Sequence, residues 1–406
     1  MGGGIETSGL PHRRRRLLSV ATLYPRPSAP GFGSFVQSSR EALVRFAGWD
    51  VTVLNPVPVP PLAFGRYARA ARDAGDADEA GVEKLRRTFR YLPRFGARWT
   101  ARLAVRALLP EIRRRHAERP FDMVDAQYFF PDGPIAAGIA RALDRPLAIT
   151  ARGSDILHWG GIAHAREQMV EAAHAASRLY AVSDQIAAKM EALGMPGDRI
   201  VRLRPGIDQS IFRLRDRRAM RAELAARRGI DLPDGAPLLV GLGSLIPLKR
   251  HDLTVRAMAL LADARLVLCG EGPERKRLER LVREQSLKDR VTLLGQIERE
   301  DIARILAAAD MMVLPSQREG FAYSWVEALA CGARLVATDV GAAGELVASP
   351  VAGAVSEPSP HALAATIRSL LDNPCPRQAT ADIVRDFDWR AKAEKVGADY
   401  RAILGG

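Results

Sequence analysis

Apolar positions along this chain come in short unbroken runs, separated by longer stretches whose apolar residues recur at helical spacing. The runs lie at 17–23, 51–54, 123–126, 147–150, 179–182 and 200–204, and again at 238–242, 266–269, 291–294, 311–314 and 335–337. Runs of three to seven residues with little polar alternation read as strands covered on both faces. Helical patterns such as 274–285 and 301–309 lie between them, which predicts parallel sheets joined by right-handed helical crossovers. The series occurs twice. It breaks in "RLRPGIDQSIFRLRDRR", 202–218, where proline, glycine and charge interrupt the pattern. The pattern therefore predicts an α/β protein with two doubly wound parallel-sheet domains, 1–208 and 209–380, followed by a helix within 381–406. That last helix sets Val396, Tyr400, Ile403 and Leu404 on one face. A ligand is expected between the domains, at the carboxyl ends of the strands.

The start, "MGGGIETSGLPHRRRRLLSVATLYPRP", imitates a secretory leader. Its apolar run is only about seven residues long and lacks a small-residue cleavage site, so it reads better as a first buried strand. Glu6 breaks the myristoylation pattern. No apolar stretch reaches the roughly 20 residues that span a bilayer.

Composition narrows the class. The 406 residues are 47% hydrophobic and 26% charged, as in a globular protein with room for more than one core. Cys269, Cys331 and Cys375 are odd in number and far apart, so they predict neither a disulfide framework nor a metal cluster and fit a reducing cytoplasm. The net charge of +13 comes mostly from arginine, with 7 of the 60 basic residues being lysine. No nucleic-acid motif accompanies that charge, so no nucleic-acid partner is expected. Basic residues concentrate in 83–119, where Arg86, Arg90, Arg94, Arg98, Arg102 and Arg106 recur every fourth position among Tyr91, Leu92, Phe95 and Trp99. A basic aromatic helical surface of this kind fits an anionic bilayer. A solvated face in an arginine-rich chain is the competing reading, and Pro93 breaks any single long helix.

Candidate chemistry centres on "REGFAYSWVEALACG", 318–332, which holds Glu319 and Glu327 around a loop running into a helix. Ser324 and Glu327 have capping-box spacing, and Gly332 has the place of a left-handed C-terminal cap. Glu327 thus has a purely structural reading, and Glu319 reads equally as a solvated loop acid. The functional reading starts from the strand 311–314, which delivers this loop to a helix N-terminus, where free N–H groups favour an anion such as a diphosphate. Carboxylates repel phosphate, so the two acids would instead accept hydrogen bonds from paired hydroxyls of a ribose or hexose.

At this point the sequence resembles the retaining glycosyltransferases of family 4. "EGFAYSWVE" matches their motif of two glutamates eight positions apart. "GSLIPLKRHDL", "RLVLCGEGPERKRLERL", "RVTLLGQI", "AADMMVLPSQREGF" and "EALACGARLVATDVGAAGELV" match its surroundings in order. "YFFPDG", "ITARGSDI" and "AVSDQIAAKMEALG" match in the first half. The resemblance implies the GT-B fold, with two Rossmann-like domains, the donor in the cleft and a final helix crossing back to the first domain. It implies a retaining hexosyl transfer from a UDP- or GDP-linked sugar to a hydroxyl, on a glycolipid or polysaccharide precursor.

Carried onto this sequence, Glu319 would meet the donor sugar and Glu327 the ribose. The backbone of Gly320, Phe321 and Ala322 would lie along sugar and diphosphate, Gly33 would approach the phosphates, and Gln296 and Ile297 would read the base. In "GLGSLIPLKR" the family commonly has a cation after the second glycine, Gly243, and a lysine five residues further on. Lys249 fits the second position. Ser244 departs from the first, so another cation is expected in its stead, with Arg152 ahead of Arg250 and Arg318. Arg152 itself replaces a family histidine in "ARGSDI", and Asp155 follows it on the acceptor side. A dinucleotide fingerprint is lacking, because Ile246 stands where the third glycine belongs.

The chemistry implied is an oxocarbenium-like transition state with charge growing on the departing diphosphate, held by cations and backbone N–H groups. No dedicated base stands out. The two Asp-x-Asp matches, Asp76/Asp78 and Asp386/Asp388, do not follow a cleft strand, so no metal or other cofactor is expected. A cytoplasmic enzyme, peripheral on the inner membrane face, is the resulting picture. The alternatives are a nucleotide-sugar epimerase of similar architecture, which would need no acceptor, and a non-catalytic binder.

Overall fold

The computed structural model describes residues 13–91, 97–230 and 232–405. The leader-like start with Glu6, and Leu92, Pro93, Arg94 and Phe95 of the basic stretch, lie outside the described residues.

The first domain is built on an eight-stranded sheet. Its strands are β1 Arg16–Val20, β2 Asp50–Val59, β3 Gly75–Glu79, β4 Val82–Arg90, β5 Met123–Ala126, β6 Leu147–Ala151, β7 Arg178–Ala181 and β8 Ile200–Arg202. They lie in the order β3-β4-β2-β1-β5-β6-β7-β8, parallel except for β3, which runs antiparallel to β4. The second sheet holds β9 Leu238–Leu242, β10 Arg265–Cys269, β11 Val291–Gly295, β12 Met311–Leu314, β13 Arg334–Ala337 and β14 Gly353–Val355. Its order is β11-β10-β9-β12-β13-β14, with every pairing parallel. In both sheets the chain starts centrally and winds outward to either side. That arrangement places a cleft at the carboxyl ends of the central strands.

Each predicted strand is present, because a run such as "LLVGL" is buried along its whole length and has only a central position to occupy. Three further strands are not legible as such. β14 has only three residues. β3, "GDADE", is acidic and exposed at a sheet edge. β4 corrects the helical reading of 83–119. A four-residue period keeps side chains on one face of a strand as well as of a helix, since four is twice the strand period. Arg86 thus shares a face with Lys84 and Val82, and all three are buried, with Lys84 paired to Glu79. The helix of this region begins only at Thr100, as Thr100–Glu118.

The last helix, Trp389–Ile403, crosses back and packs on the first domain's Ser34–Ala47 helix. Val396 and Tyr400 are buried there beside Trp49 and Leu43, and the Tyr400 hydroxyl donates to Asp125 Oδ2 at 2.7 Å. A Cβ on Gly397 would stand 2.6 Å from that of Ala47, so the two helices touch where the sequence offers no side chain.

Candidate functional site

A cleft of about 400 Å³ opens between the domains. The first domain contributes Ser34, Phe35 and Ser38 from the start of its Ser34–Ala47 helix. The second contributes Gly243, Ser244, Lys249, Arg299, Glu319 and the 321–324 turn, and Glu327 and Trp389 complete the wall.

Gly33 sits at φ 74, and a Cβ there would fall 2.5 Å from the Leu23 carbonyl, so only glycine lets the helix start this close to β1. The free N–H groups of that helix therefore face the cleft. Gly243 follows β9 at φ 141, which leaves room for the Lys249 stem to lie against it. Lys249 ends a short turn, Pro247–Lys249, and its ammonium donates to Glu319 Oε1 at 2.5 Å. Ser316 Oγ donates to the same oxygen at 2.7 Å. Residues 70 positions apart thus form one ion pair at the cleft floor.

Glu327 does not cap its helix. The helix is Tyr323–Ala330, with Ala322 at its N-cap and no side-chain cap hydrogen bond, which corrects the capping-box reading. The chain turns helical one residue before Ser324, so the serine cannot serve as cap and Glu327 points into the cleft instead. Its nearest cation is Arg299, at 3.8 Å. Burial pushes the Glu327 carboxyl up to about 7, against the opposing pull of Arg299. Arg299 also lies over Phe212, 5.4 Å from the ring centre. Cys331 and Gly332, the latter at φ 77, close the helix as the sequence predicts.

Arg152 is buried and lies outside the cleft lining. Its Nε donates to the Gln127 carbonyl at 3.2 Å, Nη2 to Gln127 Oε1 at 2.5 Å, and Nη1 to the Tyr323 hydroxyl at 3.0 Å. The guanidinium thereby joins the first domain to the loop that carries the two glutamates. Three of its five N–H groups are engaged, and Phe35 covers its face at 5.3 Å. The expected substitute for the cation missing at Ser244 is therefore a cross-domain tie. Arg250 is taken up by Asp252 at 3.2 Å, and Arg318 faces a separate hollow beside Lys189 and Asp339. Within the lining the second cation is Arg299.

Asp155 is fully buried. Its carboxylate accepts the backbone N–H groups of Phe129, Arg152, Gly153 and Ile156 at 2.7 to 3.1 Å. Burial nevertheless raises its pKa. Those bonds hold Gly153 in place, where a Cβ would meet Gly320 Cα at 2.2 Å across the cleft. Asp155, expected on the acceptor side, has its carboxylate taken up by its own loop. Gly320 makes that backbone contact, and Phe321 and Ala322 lie in the lining. Gln296 and Ile297 lie outside it, with Gln296 Nε2 3.7 Å from where a Cβ on Gly31 would be.

Sequence reasoning missed the aromatic wall. Phe35 stacks on Tyr323 with ring centres 5.0 Å apart, and Tyr323 on Trp389 at 6.4 Å. The three come from the first domain, the second domain and the crossover helix, so no local pattern joins them. Among the described residues, no group of three or more histidine, cysteine or acidic side chains is placed to hold a metal ion. Asp76 pairs with Arg87 and Arg115, and Asp388 caps the last helix.

Comparison with known proteins bears on this cleft. The family described as "Glycosyltransferase Family 4" matches residues 31–210, and "Glycosyl transferases group 1" matches 223–386. A D-inositol 3-phosphate glycosyltransferase of Kineococcus radiotolerans is 32% identical over 332 residues, 71% of this chain and 73% of that one. The sucrose-phosphate synthase of Thermosynechococcus elongatus superposes with a TM-score of 0.78 at 22% identity, covering 97% of this chain and all of the other. The Anabaena protein HepE, in complex with UDP-glucose, superposes with a TM-score of 0.66 at 19% identity, covering 96% of this chain and 97% of the other.

Proposed function

The chain belongs to the group 1 glycosyltransferases with a family 4 first domain, and from that premise we propose that it moves a hexosyl unit, with retention and without a metal, from a nucleoside diphosphate sugar to a hydroxyl acceptor on a glycolipid or polysaccharide precursor. The transferase class itself follows from the family. The single observation that carries the finer reading is the Lys249–Glu319 pair at the cleft floor, with Glu327 beyond it and a helix N-terminus opposite. UDP and UDP-glucose are the ligands of the HepE structures, which supports a uridine-linked donor.

In this reading Lys249 turns from Glu319 to the departing diphosphate. The Ser244 hydroxyl and the N–H groups at Ser34 and Phe35 add neutral donors to the growing charge. Glu319, released from the ammonium, accepts the sugar hydroxyls, and Glu327 accepts those of the ribose. Gly320, Phe321 and Ala322 lend backbone along the sugar and diphosphate. The base lies toward Gln296 and Ile297, with Arg299 beside it. Retention fits the lack of a free base in the lining, where the two carboxylates each have a binding task. We place the enzyme on the cytoplasmic membrane face. No helix among the described residues is long and apolar enough to span a bilayer.

A panel of UDP- and GDP-sugars, incubated with and without a membrane extract as acceptor source, tests the reading. Release of nucleoside diphosphate only when extract is present is the expected result. Conversion of donor with no acceptor would point to an epimerase, and no conversion of any donor to a binder.

A further inference from the structure

Six large apolar side chains stand exposed among the described residues. Phe32 is 41% exposed, Leu62 and Phe64 75% each, Trp99 44%, Leu103 36% and Val355 39%. A scatter of single exposed hydrophobes needs no explanation, but five of these six fall on one edge of one sheet. Strands β1, β2 and β4 are parallel neighbours, so the loops that follow them leave from the same edge. Phe32 follows β1, Leu62 and Phe64 follow β2, and Trp99 and Leu103 follow β4. Tyr91 N–H donates to the Val59 carbonyl, Arg86 Nη2 to the Pro25 carbonyl, and Ser28 N–H to Asp73, which binds the three loops together. This is the edge from which Ser34 and Phe35 line the cleft.

The charge on that edge is one-sided. The described side chains of 60–75 and 90–106 include six arginines, Arg69, Arg72, Arg90, Arg98, Arg102 and Arg106, and a single acid, Asp73. The acid is already paired with Arg26, whose guanidinium also lies 5.3 Å over the Phe32 ring. Arg98 and Arg102 flank Trp99 at 4.9 and 5.9 Å from its ring centre. Further back along the same strands, away from that edge, the cations are neutralised. Arg87 pairs with Asp76 and Glu111, and Arg115 with Glu83, Asp76 and Glu111. Positive charge that forms no ion pair among the described residues, set beside exposed aromatic and aliphatic groups, matches an anionic interface with an apolar interior. A second copy of the chain would bring the same positive surface against it, and the two would repel.

We propose that Leu62, Phe64, Trp99 and Leu103 insert into an anionic lipid bilayer, with the surrounding arginines on its headgroups, so that the mouth of the cleft faces the membrane. The apolar anchor is thus the loop after β2 together with Trp99 and the first turn of the Thr100–Glu118 helix, and not one helical face running the length of 83–119. It rests on the proposed function only for what enters the cleft there, a hydroxyl presented from a lipid surface.

Flotation of the full chain with phosphatidylcholine vesicles, with and without half phosphatidylglycerol, tests docking without reference to activity. Wild type is expected to float with the anionic vesicles, and Leu62→Ser with Phe64→Ser to lose about tenfold or more of that affinity at unchanged charge. Each of Arg98→Glu and Arg102→Glu should cost about fivefold, and salt should weaken all binding. Quenching of tryptophan emission by brominated lipid should fall in Trp99→Phe. The two loop changes sit on side chains three-quarters exposed, so binding of UDP-glucose by the soluble protein should match wild type. If the Leu62/Phe64 variant floats as wild type does, or if light scattering shows that it instead dissolves a dimer, the proposal is wrong. Loss of UDP-glucose binding in every form would instead count against the cleft reading and leave flotation to stand by itself.

Discussion

Glu319 and Glu327 sit in one loop-helix unit but in different electrostatic settings, and their variants should differ accordingly. Glu319 shares an oxygen between Lys249 and Ser316. Losing one charge-assisted hydrogen bond costs ~1.5–3 kcal/mol, so Glu319→Gln should lower kcat by about 10- to 100-fold, read from steady-state kinetics. Lys249→Ala should cost about 100-fold or more, as removal of a donor aimed at developing charge does. Glu327→Gln should act on donor KM. Because burial raises its carboxyl to about 7, the ionised acceptor is lost as pH falls. Wild-type donor KM should therefore rise below about pH 7, and the Gln variant should lack that rise. The stability sign is opposite. A carboxyl raised on folding destabilises the fold as pH climbs from its unfolded range through 7. Asp132, also pushed up to about 7 by burial, adds the same slope. Denaturant titrations between pH 5 and 8 should be flatter for Glu327→Gln. Wild-type kinetics in both glutamate variants, with only melting temperature lowered, would make these acids structural.

At the scale of elements, the two domains meet through backbone as much as through side chains. The Gly153 loop presses on the Gly320 turn, Arg152 reaches Tyr323, and the Asp184 N–H donates to Glu345 at 2.8 Å. A methyl on Gly153 has no space against Gly320, so Gly153→Ala should hold the cleft open. The expected outcome is a larger radius of gyration by solution scattering with each domain still folded, together with a loss of kcat. Arg152→Ala should lower kcat less than Lys249→Ala, since the arginine ties loops and lies outside the lining, and Tyr323→Phe should share part of that loss. Full activity in Arg152→Ala would remove its positioning role. The crossover helix carries a cost of its own. Lys392 is buried with no hydrogen-bond partner, and burial drives its pKa well below the usual lysine range. Replacing it by Met should stabilise the protein by about 1–3 kcal/mol, measured by denaturant unfolding.

For the whole molecule, catalysis on this reading is assembled by closure. The lining draws on a helix start from the first domain, three loops of the second and a tryptophan of the returning helix. None of these parts forms a site alone. Water would be excluded only when all are together, which strengthens each charge interaction inside. On the proposed reading the cations and N–H groups named above would supply the charge stabilisation, and activity should then survive an excess of chelator. Its abolition by EDTA, with recovery on adding magnesium or manganese, would show that a metal takes part.

How much of this was legible in the chain follows from the range of the forces involved. Burial on both faces makes a central strand an unbroken apolar run, so eleven strands, the doubling of the sheet and the apolar face of the last helix could be read directly. Gly332 was legible as a left-handed helix cap, whereas Gly33 and Gly243, also at positive φ, were pointed to only by the family resemblance. Three strands were not legible, because β3 and β14 are short or polar edges that bury little and β4 hides its alternation under an arginine period common to helix and strand. The roles of long side chains were decided by tertiary contact alone. A guanidinium reaches far enough that its partner need not be a neighbour, and Arg152 found Tyr323 at a separation of 171 residues. Glu327 turned from cap to cleft because the helix began two residues early, with Ala322 and not Ser324 at its N-cap. The stack of Phe35, Tyr323 and Trp389 needed three separate stretches of chain to arrive at one place, and only the folded molecule brings them there.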